Sequence, residues 1–143
     1  MQEFNETVTI NRPADAVFDY VADITRWPEW RLSLTSAECT PPGPLGFGST
    51  IHASGQVMGR TMDMALDVSA FEPGERIGFT TSSGPVSIEA EFRFAPDGTG
   101  TRVTVAGTVE PSGVLQVAGP LFARQIHAMW STDLAALKGV LDD

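Results

Sequence analysis

Hydrophobic and polar residues alternate along the middle of the chain with the two-residue period of a β-strand that faces water on one side. The clearest stretch places Met62, Met64 and Leu66 on one side, and polar residues fill most positions between them. Patterns of this kind predict strands at Thr7–Ile10, Leu32–Cys39, Ser49–Gln56, Met62–Ala70, Ile77–Thr81, Val86–Phe94 and Val103–Val109. The sequence therefore predicts a largely antiparallel sheet with one apolar face.

Two stretches show the 3.6-residue period of a helix instead. After Pro13, the apolar residues Val17, Val21 and Ile24 recur at helical spacing, and the helix is expected to end at Pro28. A much longer helix is expected from Pro120 to about Leu141. Its apolar stripe consists of Phe122, Ile126, Trp130, Leu134, Leu137 and Leu141.

Composition and charge narrow the class of protein. The chain has 143 residues, which fits one domain spanning 1–143 with no internal repeat. Its net charge of −9 would repel phosphate backbones and argues against nucleic-acid binding. No membrane span and no secretion signal are recognisable, so the expected location is the cytoplasm. Cys39 is the single cysteine, which rules out an internal disulfide and a multi-cysteine metal site.

Several motifs in this order resemble the START-like helix-grip superfamily (SRPBCC), and in particular its polyketide cyclase/dehydrase and lipid-transport branch. They are INRPADAVFDYVADITRWPEW, GPLGFGST, SAFEPGERIGFTT, APDGTGTRVTV and STDLAALKGVL. The resemblance covers nearly the whole chain and implies an α+β fold, in which a curved antiparallel sheet of about seven strands wraps around the C-terminal helix. It also implies a hydrophobic ligand held between sheet and helix. Members include carriers, sensors, cyclases and regulators, so the fold alone assigns no reaction.

The predicted ligand site consists of apolar residues expected to face the interior. These are Trp30, Met62, Met64, Phe79, Ile88, Phe92, Ile126, Met129 and Trp130. Flexible methionines and broad aromatic rings suit an adaptable pocket, although simple core packing is the alternative for each of them. By resemblance, Trp30 is expected to line the cavity and Trp27 to pack beneath the short helix. The glycine-rich segments Gly43–Gly48 and Pro111–Gly119 are candidate gates beside the pocket.

Polar candidates for catalysis are few. Asp133 lies inside the apolar stripe of the long helix. It is either a ligand anchor, a general acid or base, or the partner of an arginine or backbone amide, or it reaches water at the rim of the stripe. His52 is a weaker candidate, since it faces outward if Ile51 and Ala53 face inward. His127 is expected on the polar side of the helix. The other possible recruits are Gln56, Arg60, Arg124 and Gln125.

Three classes of function stay open at this stage. The leading hypothesis is a binder of a small hydrophobic molecule such as a lipid, isoprenoid, polyketide or aromatic metabolite. The second is a cyclase, aromatase or dehydratase that uses the same cavity. The third is a regulatory module that binds another protein through an exposed apolar patch. The sequence contains no metal-binding or phosphate-binding motif, so no metal and no cofactor are predicted, and the oligomeric state is left undetermined.

Overall fold

The computed structural model describes residues 2–31, 34–43, 45–57, 60–83, 86–111 and 119–142. Seven strands form one antiparallel sheet in the order β1-β7-β6-β5-β4-β3-β2. The strands are β1 (Gln2–Ile10), β2 (Leu34–Thr40), β3 (Thr50–Val57), β4 (Arg60–Glu72), β5 (Arg76–Ser83), β6 (Val86–Asp97) and β7 (Gly100–Pro111). The helices are α1 (Ala14–Ala22), a 3₁₀ turn (Ile24–Arg26), α2 (Trp27–Trp30) and α3 (Gly119–Asp142). The curled sheet and the C-terminal helix confirm the predicted helix-grip architecture.

Alternation along the strands separates a buried face from a wet one, as predicted. In β7, Val103, Val105 and Val109 are buried and Arg102 is exposed. The neighbouring β6 buries Phe92 and Phe94, which lie opposite Val105 and Val103 in the antiparallel register. Because side chains at paired positions point to the same side of a sheet, these two strands contribute a continuous apolar surface to the interior.

Helix α3 packs against β1, and polar contacts fix its C-terminal end there. Lys138 Nζ donates to the carbonyl oxygen of Thr9 at 2.7 Å. Arg12 Nε donates to the carbonyl oxygen of Leu141 at 2.6 Å, which satisfies one of the carbonyls that a helix leaves unpaired at its end. Inside, Phe4 of β1 stacks on Trp130 of α3 with ring centroids 6.0 Å apart. These contacts hold the helix across the sheet.

The corner between α1 and β2 is built around Trp27. Its indole Nε1 donates to the carbonyl oxygen of Val21 at 2.8 Å, which pairs a carbonyl at the C-terminal end of α1. Tyr20 donates from its hydroxyl to Glu29 at 2.9 Å. Partial burial, together with this carboxylate acceptor, raises the pKa of Tyr20 to about 12. The helices α1 and α2 are therefore joined by side-chain hydrogen bonds as well as by the backbone that connects them.

Candidate functional site

A small cavity of about 40 Å³ lies between the concave face of the sheet and α3. The described residues on its wall are Phe4, Trp27, Arg31, Leu34, Ala53, Met64, Leu66, Phe79, Ile88, Val109, Met129 and Trp130. Strands β1 and β3–β7 supply most of this wall, and α2, α3 and the start of β2 close it. A cavity of this volume has room for about three water molecules.

The wall contains five of the nine residues predicted to contact ligand. Met64, Phe79, Ile88, Met129 and Trp130 all line the cavity. Met62 and Ile126 belong to β4 and α3, but their side chains lie outside the part that the structure describes. Trp30 and Phe92 are fully buried and are not among the described wall residues.

The two indoles lie in different positions relative to the cavity. Trp27 lines the cavity, whereas Trp30 packs behind it against Trp27 and Phe92, with ring centroids 6.2 and 6.0 Å away. Phe92 also contacts Trp130 edge to face at 5.6 Å, so it is surrounded by rings on several sides. Sequence spacing could not separate the two roles because both indoles are buried, and only their packing partners decide which one reaches the cavity.

Trp30 has a further feature that neighbouring residues do not explain. Its indole Nε1 is buried, and no described residue accepts a hydrogen bond from it. Buried donors without an acceptor are rare in native proteins, since each one forfeits its hydration without replacement. Trp27 differs from it in this respect, because its own Nε1 is paired with Val21.

Arg31 and Asp133 form a buried ion pair at the cavity. Arg31 Nε donates to Asp133 Oδ2 at 2.9 Å, and the two residues are only 8% and 1% exposed. The guanidinium lies over the ring of Trp130, 4.0 Å from its centroid, and 5.6 Å from that of Trp27. The aromatic surfaces and the carboxylate together hold the guanidinium in a fixed position.

Burial dominates the electrostatics of this pair. Desolvation lowers the pKa of Arg31, and the nearby carboxylate of Asp133 offsets that effect only in part. In buried ion pairs generally, the cost of taking both charges out of water often exceeds what their attraction returns. Such a pair contributes a fixed polar group to the cavity wall more than it contributes stability.

Arg31 was not among the polar residues selected from the sequence. The available signal was indirect: Asp133 in an apolar helical stripe required a partner, and an arginine was one of the alternatives considered. Sequence spacing could not identify which arginine, because 102 positions separate the two partners. Arg31 directly follows α2, so the same corner that buries Trp30 also carries the guanidinium inward.

Other polar candidates do not reach the cavity wall. His52 is exposed on the outer face of β3, where its Nε2 lies 3.1 Å from Thr40 Oγ1, while the adjacent Ile51 and Ala53 are buried. His127 is exposed on α3, with Nδ1 2.5 Å from a carboxylate oxygen of Glu6. The structure therefore does not bring either histidine together with Asp133.

The remaining polar recruits give no additional group at the wall. Gln56 and Arg124 are exposed, and Gln56 bonds to Thr61 on the neighbouring strand. The side chains of Arg60 and Gln125 lie outside the described part of the structure. Within the described residues, no group of three or more histidine, cysteine, aspartate or glutamate side chains is arranged to hold a metal ion.

A second, larger depression of about 780 Å³ lies on another side of the short helices. Phe18, Leu45 and Phe71 form apolar parts of its wall, together with the carboxylates of Asp19 and Glu38. Gly43 also lines this groove, so the loop Gly43–Gly48, predicted to flank the ligand pocket, contributes to the outer groove in the described structure. Of the other candidate gate, Pro111–Gly119, the residues 112–118 lie outside the described part.

The groove and the cavity suit different ligands. The larger volume belongs to the groove, but carboxylates stand on its wall and it carries none of the nine predicted ligand residues. The inner cavity has an almost wholly apolar wall, where Arg31 is the one ionisable side chain among the described residues. An apolar molecule would cover fewer polar groups in the inner cavity, and covering polar groups without giving them hydrogen-bond partners is unfavourable.

A curled seven-stranded sheet closed by a long C-terminal helix, with an apolar cavity between them, defines the START-like helix-grip class. The sequence matches the family described as polyketide cyclase/dehydrase and lipid transport over residues 1–142. This protein belongs to that family. No curated protein matches the chain.

Solved structures share the fold at low sequence identity. A protein from Thermus thermophilus is 18% identical with a TM-score of 0.85, over 97% of this chain and 96% of its own. A START superfamily protein from Mycobacterium smegmatis is 18% identical with a TM-score of 0.83, over 99% and 98% of the two chains. The Zhui aromatase/cyclase of a Streptomyces species is 18% identical with a TM-score of 0.74, over 99% and 93%. At this identity the similarity establishes the fold alone.

In the described part of the chain, no helix is both long enough and apolar enough to cross a membrane.

Proposed function

We propose that this protein binds a small hydrophobic molecule in the cavity between the sheet and α3. The observation that carries the proposal is the character of the cavity wall, where aromatic and aliphatic side chains surround a single fixed polar group. Pockets for small molecules typically have this composition, with a few polar groups that set the orientation of the ligand. Membership of a family described by cyclase, dehydrase and lipid-transport functions supports the same type of ligand.

The cavity must enlarge to accept such a ligand. Its volume of about 40 Å³ is far below the roughly 300 to 1,000 Å³ of typical small-molecule sites. Met64, Ile88 and Met129 are the wall residues best suited to move, because they are only partly buried and two of them have flexible thioether chains. Binding is therefore expected to displace these side chains while the buried aromatic residues behind them stay in place.

Two substitutions on β3, one facing the cavity and one facing solvent, test the site. Ala53 lines the cavity and is 5% exposed, so Ala53→Leu should fill the space that a ligand needs. His52→Leu adds similar bulk on the opposite face of the same strand and serves as the matched control. The fluorescent apolar probe N-phenyl-1-naphthylamine should bind the wild-type protein saturably. We expect Ala53→Leu to weaken binding by about tenfold or more, which corresponds to about 1.4 kcal/mol.

Three results would count against the proposal. It is wrong if the probe shows no saturable binding to the wild-type protein. It is also wrong if Ala53→Leu binds as tightly as the wild type, or if His52→Leu weakens binding as much as Ala53→Leu does. As a separate measurement, native mass spectrometry of gently purified protein, followed by denaturing extraction, would identify any small molecule that the protein carries from the cell.

A cyclase, aromatase or dehydratase activity in the same cavity is the second candidate function. The buried carboxylate of Asp133 beside the wall favours it, because acid–base catalysis needs a positioned proton-transfer group. Its ion pair with Arg31 argues for an orienting role instead, and neither histidine lies at the wall. Incubation with a reactive poly-β-keto chain distinguishes the two functions. Protein-dependent loss of water that Asp133→Asn abolishes, in a variant that still binds N-phenyl-1-naphthylamine, would establish the enzyme, whereas unchanged substrate with the wild-type protein would leave the binder.

A regulatory protein-binding module has less support. Phe47 and Val140 are the large apolar side chains that are well exposed in the described part, at 78% and 43%. One lies on the loop between β2 and β3 and the other on α3, and single exposed apolar residues are normal on soluble proteins.

We also propose that residues 1–143 work as one domain in the cytoplasm. The single family match over residues 1–142 supports one domain over these residues, and the free thiol of Cys39 suits a reducing compartment.

A further inference from the structure

We infer that Arg31 is the polar anchor of the cavity, and that the preferred ligand is an apolar molecule bearing one uncharged carbonyl oxygen. The juxtaposition that carries this inference is a guanidinium already neutralised by Asp133, held between two indoles at an otherwise apolar wall. The inference rests on the proposed binding function and specifies the chemical class of its ligand.

The guanidinium has hydrogen-bonding capacity to spare. An arginine carries five N–H donors, and within the described part of the structure its side chain makes one hydrogen bond, from Nε to Asp133. That bond uses the one donor on Nε and leaves the four on Nη1 and Nη2, while Arg31 itself forms part of the cavity wall. A ligand in the cavity therefore meets donors and needs an acceptor.

The guanidinium is also held rigidly. Its position 4.0 Å from the centroid of the Trp130 ring and 2.9 Å from Asp133 restricts rotation about the side-chain bonds. A donor that is fixed before binding costs little entropy when the ligand arrives, so each hydrogen bond contributes more of its energy to affinity. Arg31 is thus preorganised as a binding group.

The charge of the ligand follows from Asp133. Its carboxylate balances the single positive charge at the wall, and no other described wall residue is ionisable. A carboxylate ligand would bring a second negative charge next to Asp133 in a site with little water, which is unfavourable. A hydrocarbon would cover the Nη donors without pairing them, which is also unfavourable. A neutral carbonyl compound avoids both penalties.

Three probes of nearly equal shape separate these alternatives. Acetophenone, α-methylstyrene and benzoate share the ring and differ only in the head group, which is a ketone, a methylene or a carboxylate. Each is titrated in competition with N-phenyl-1-naphthylamine on the wild-type protein. We expect acetophenone to bind about tenfold more tightly than α-methylstyrene, since one hydrogen bond to a charged donor contributes at least that factor. Benzoate should bind most weakly.

Variants assign the preference to Arg31. Arg31→Met should bring the affinities for acetophenone and α-methylstyrene to within about twofold of each other. Because that change leaves Asp133 buried without its arginine, the double variant Arg31→Met, Asp133→Leu provides the same measurement in a chain expected to fold. Arg26→Met is the matched control on the neighbouring 3₁₀ turn, where the guanidinium is half exposed, and it should keep the wild-type preference. A ratio of two affinities is insensitive to a general loss of stability.

The outcomes are distinguishable from failure of the proposed function. If the naphthylamine probe binds but acetophenone and α-methylstyrene compete equally, the anchor is wrong and the binding function stands. Tightest binding by benzoate would refute the uncharged head group, and a ketone preference that survives in both Arg31 variants would refute the role of Arg31. Absence of any saturable binding would overturn the binding function itself.

Discussion

The buried pair Arg31–Asp133 gives a sharp test of how the interior is stabilised. Replacing Asp133 with asparagine preserves its size but leaves the guanidinium charged and almost fully buried. With charge centres about 4 Å apart and an effective dielectric constant of about 20, the lost attraction is about 4 kcal/mol. Measured losses on breaking one side of a buried pair are about 3 to 5 kcal/mol, which agrees. We therefore expect Asp133→Asn to lower the free energy of unfolding by about 4 kcal/mol.

The double variant Arg31→Met, Asp133→Leu should behave differently. Desolvation already outweighs the attraction of Asp133 in setting the pKa of Arg31, so removing both charges also removes a large unfavourable contribution. Methionine retains much of the apolar stem that packs against Trp130. We expect the double variant to unfold within about 1 kcal/mol of the wild-type protein, or to be more stable.

Urea denaturation followed by circular dichroism measures these differences through the midpoint and slope of the transition. Asp97→Asn is the control, because it breaks the exposed pair with Arg102, whose atoms are 3.8 Å apart, and should change the free energy of unfolding by less than about 1 kcal/mol. A loss below about 1 kcal/mol for Asp133→Asn would refute the reasoning. So would a double variant that loses as much stability as Asp133→Asn.

Three further predictions concern other parts of the fold. In urea denaturation, Trp27→Phe should lower the free energy of unfolding by about 1 to 3 kcal/mol more than Trp30→Phe does, because only the change at Trp27 leaves a buried carbonyl of α1 unpaired. Equal losses in the two variants would contradict this. Burial raises the pKa of Tyr20 to about 12, so ultraviolet absorbance at pH 11 should show about a tenth of this single tyrosine ionised, against about nine tenths of a free one. Its folded pKa is above the unfolded value, so its contribution to stability is complete below about pH 10 and is lost towards pH 12. Gly107→Ala should lower the free energy of unfolding by about 1 to 3 kcal/mol in thermal melts, because the added Cβ would overlap the backbone of β6. Gly139→Ala, which has open space around it on α3, should raise that free energy by about 0.5 to 1 kcal/mol. Equal effects of the two substitutions would disprove the close approach at Gly107.

Much of the fold could be predicted from the sequence because its signals are local. The long helix was expected from Pro120 to about Leu141 and extends over Gly119–Asp142, since an amphipathic period persists through the whole segment. The alternation around His52 also predicted its outward direction once Ile51 and Ala53 were taken as buried, because successive side chains on a strand point to opposite faces. The position of Asp133 within the apolar stripe likewise predicted a carboxylate in the interior.

Other properties of the candidate site were decided only by tertiary structure. Arg31 and Asp133 come together because an irregular corner and a helix meet across the interior, and no local pattern encodes a contact over 102 positions. Whether Trp27 or Trp30 reaches the cavity depends on which rings each indole packs against, and spacing along the chain does not specify this. The volume of the cavity is the small space left after all these side chains have packed, so it is a property of the assembled core and of no single segment.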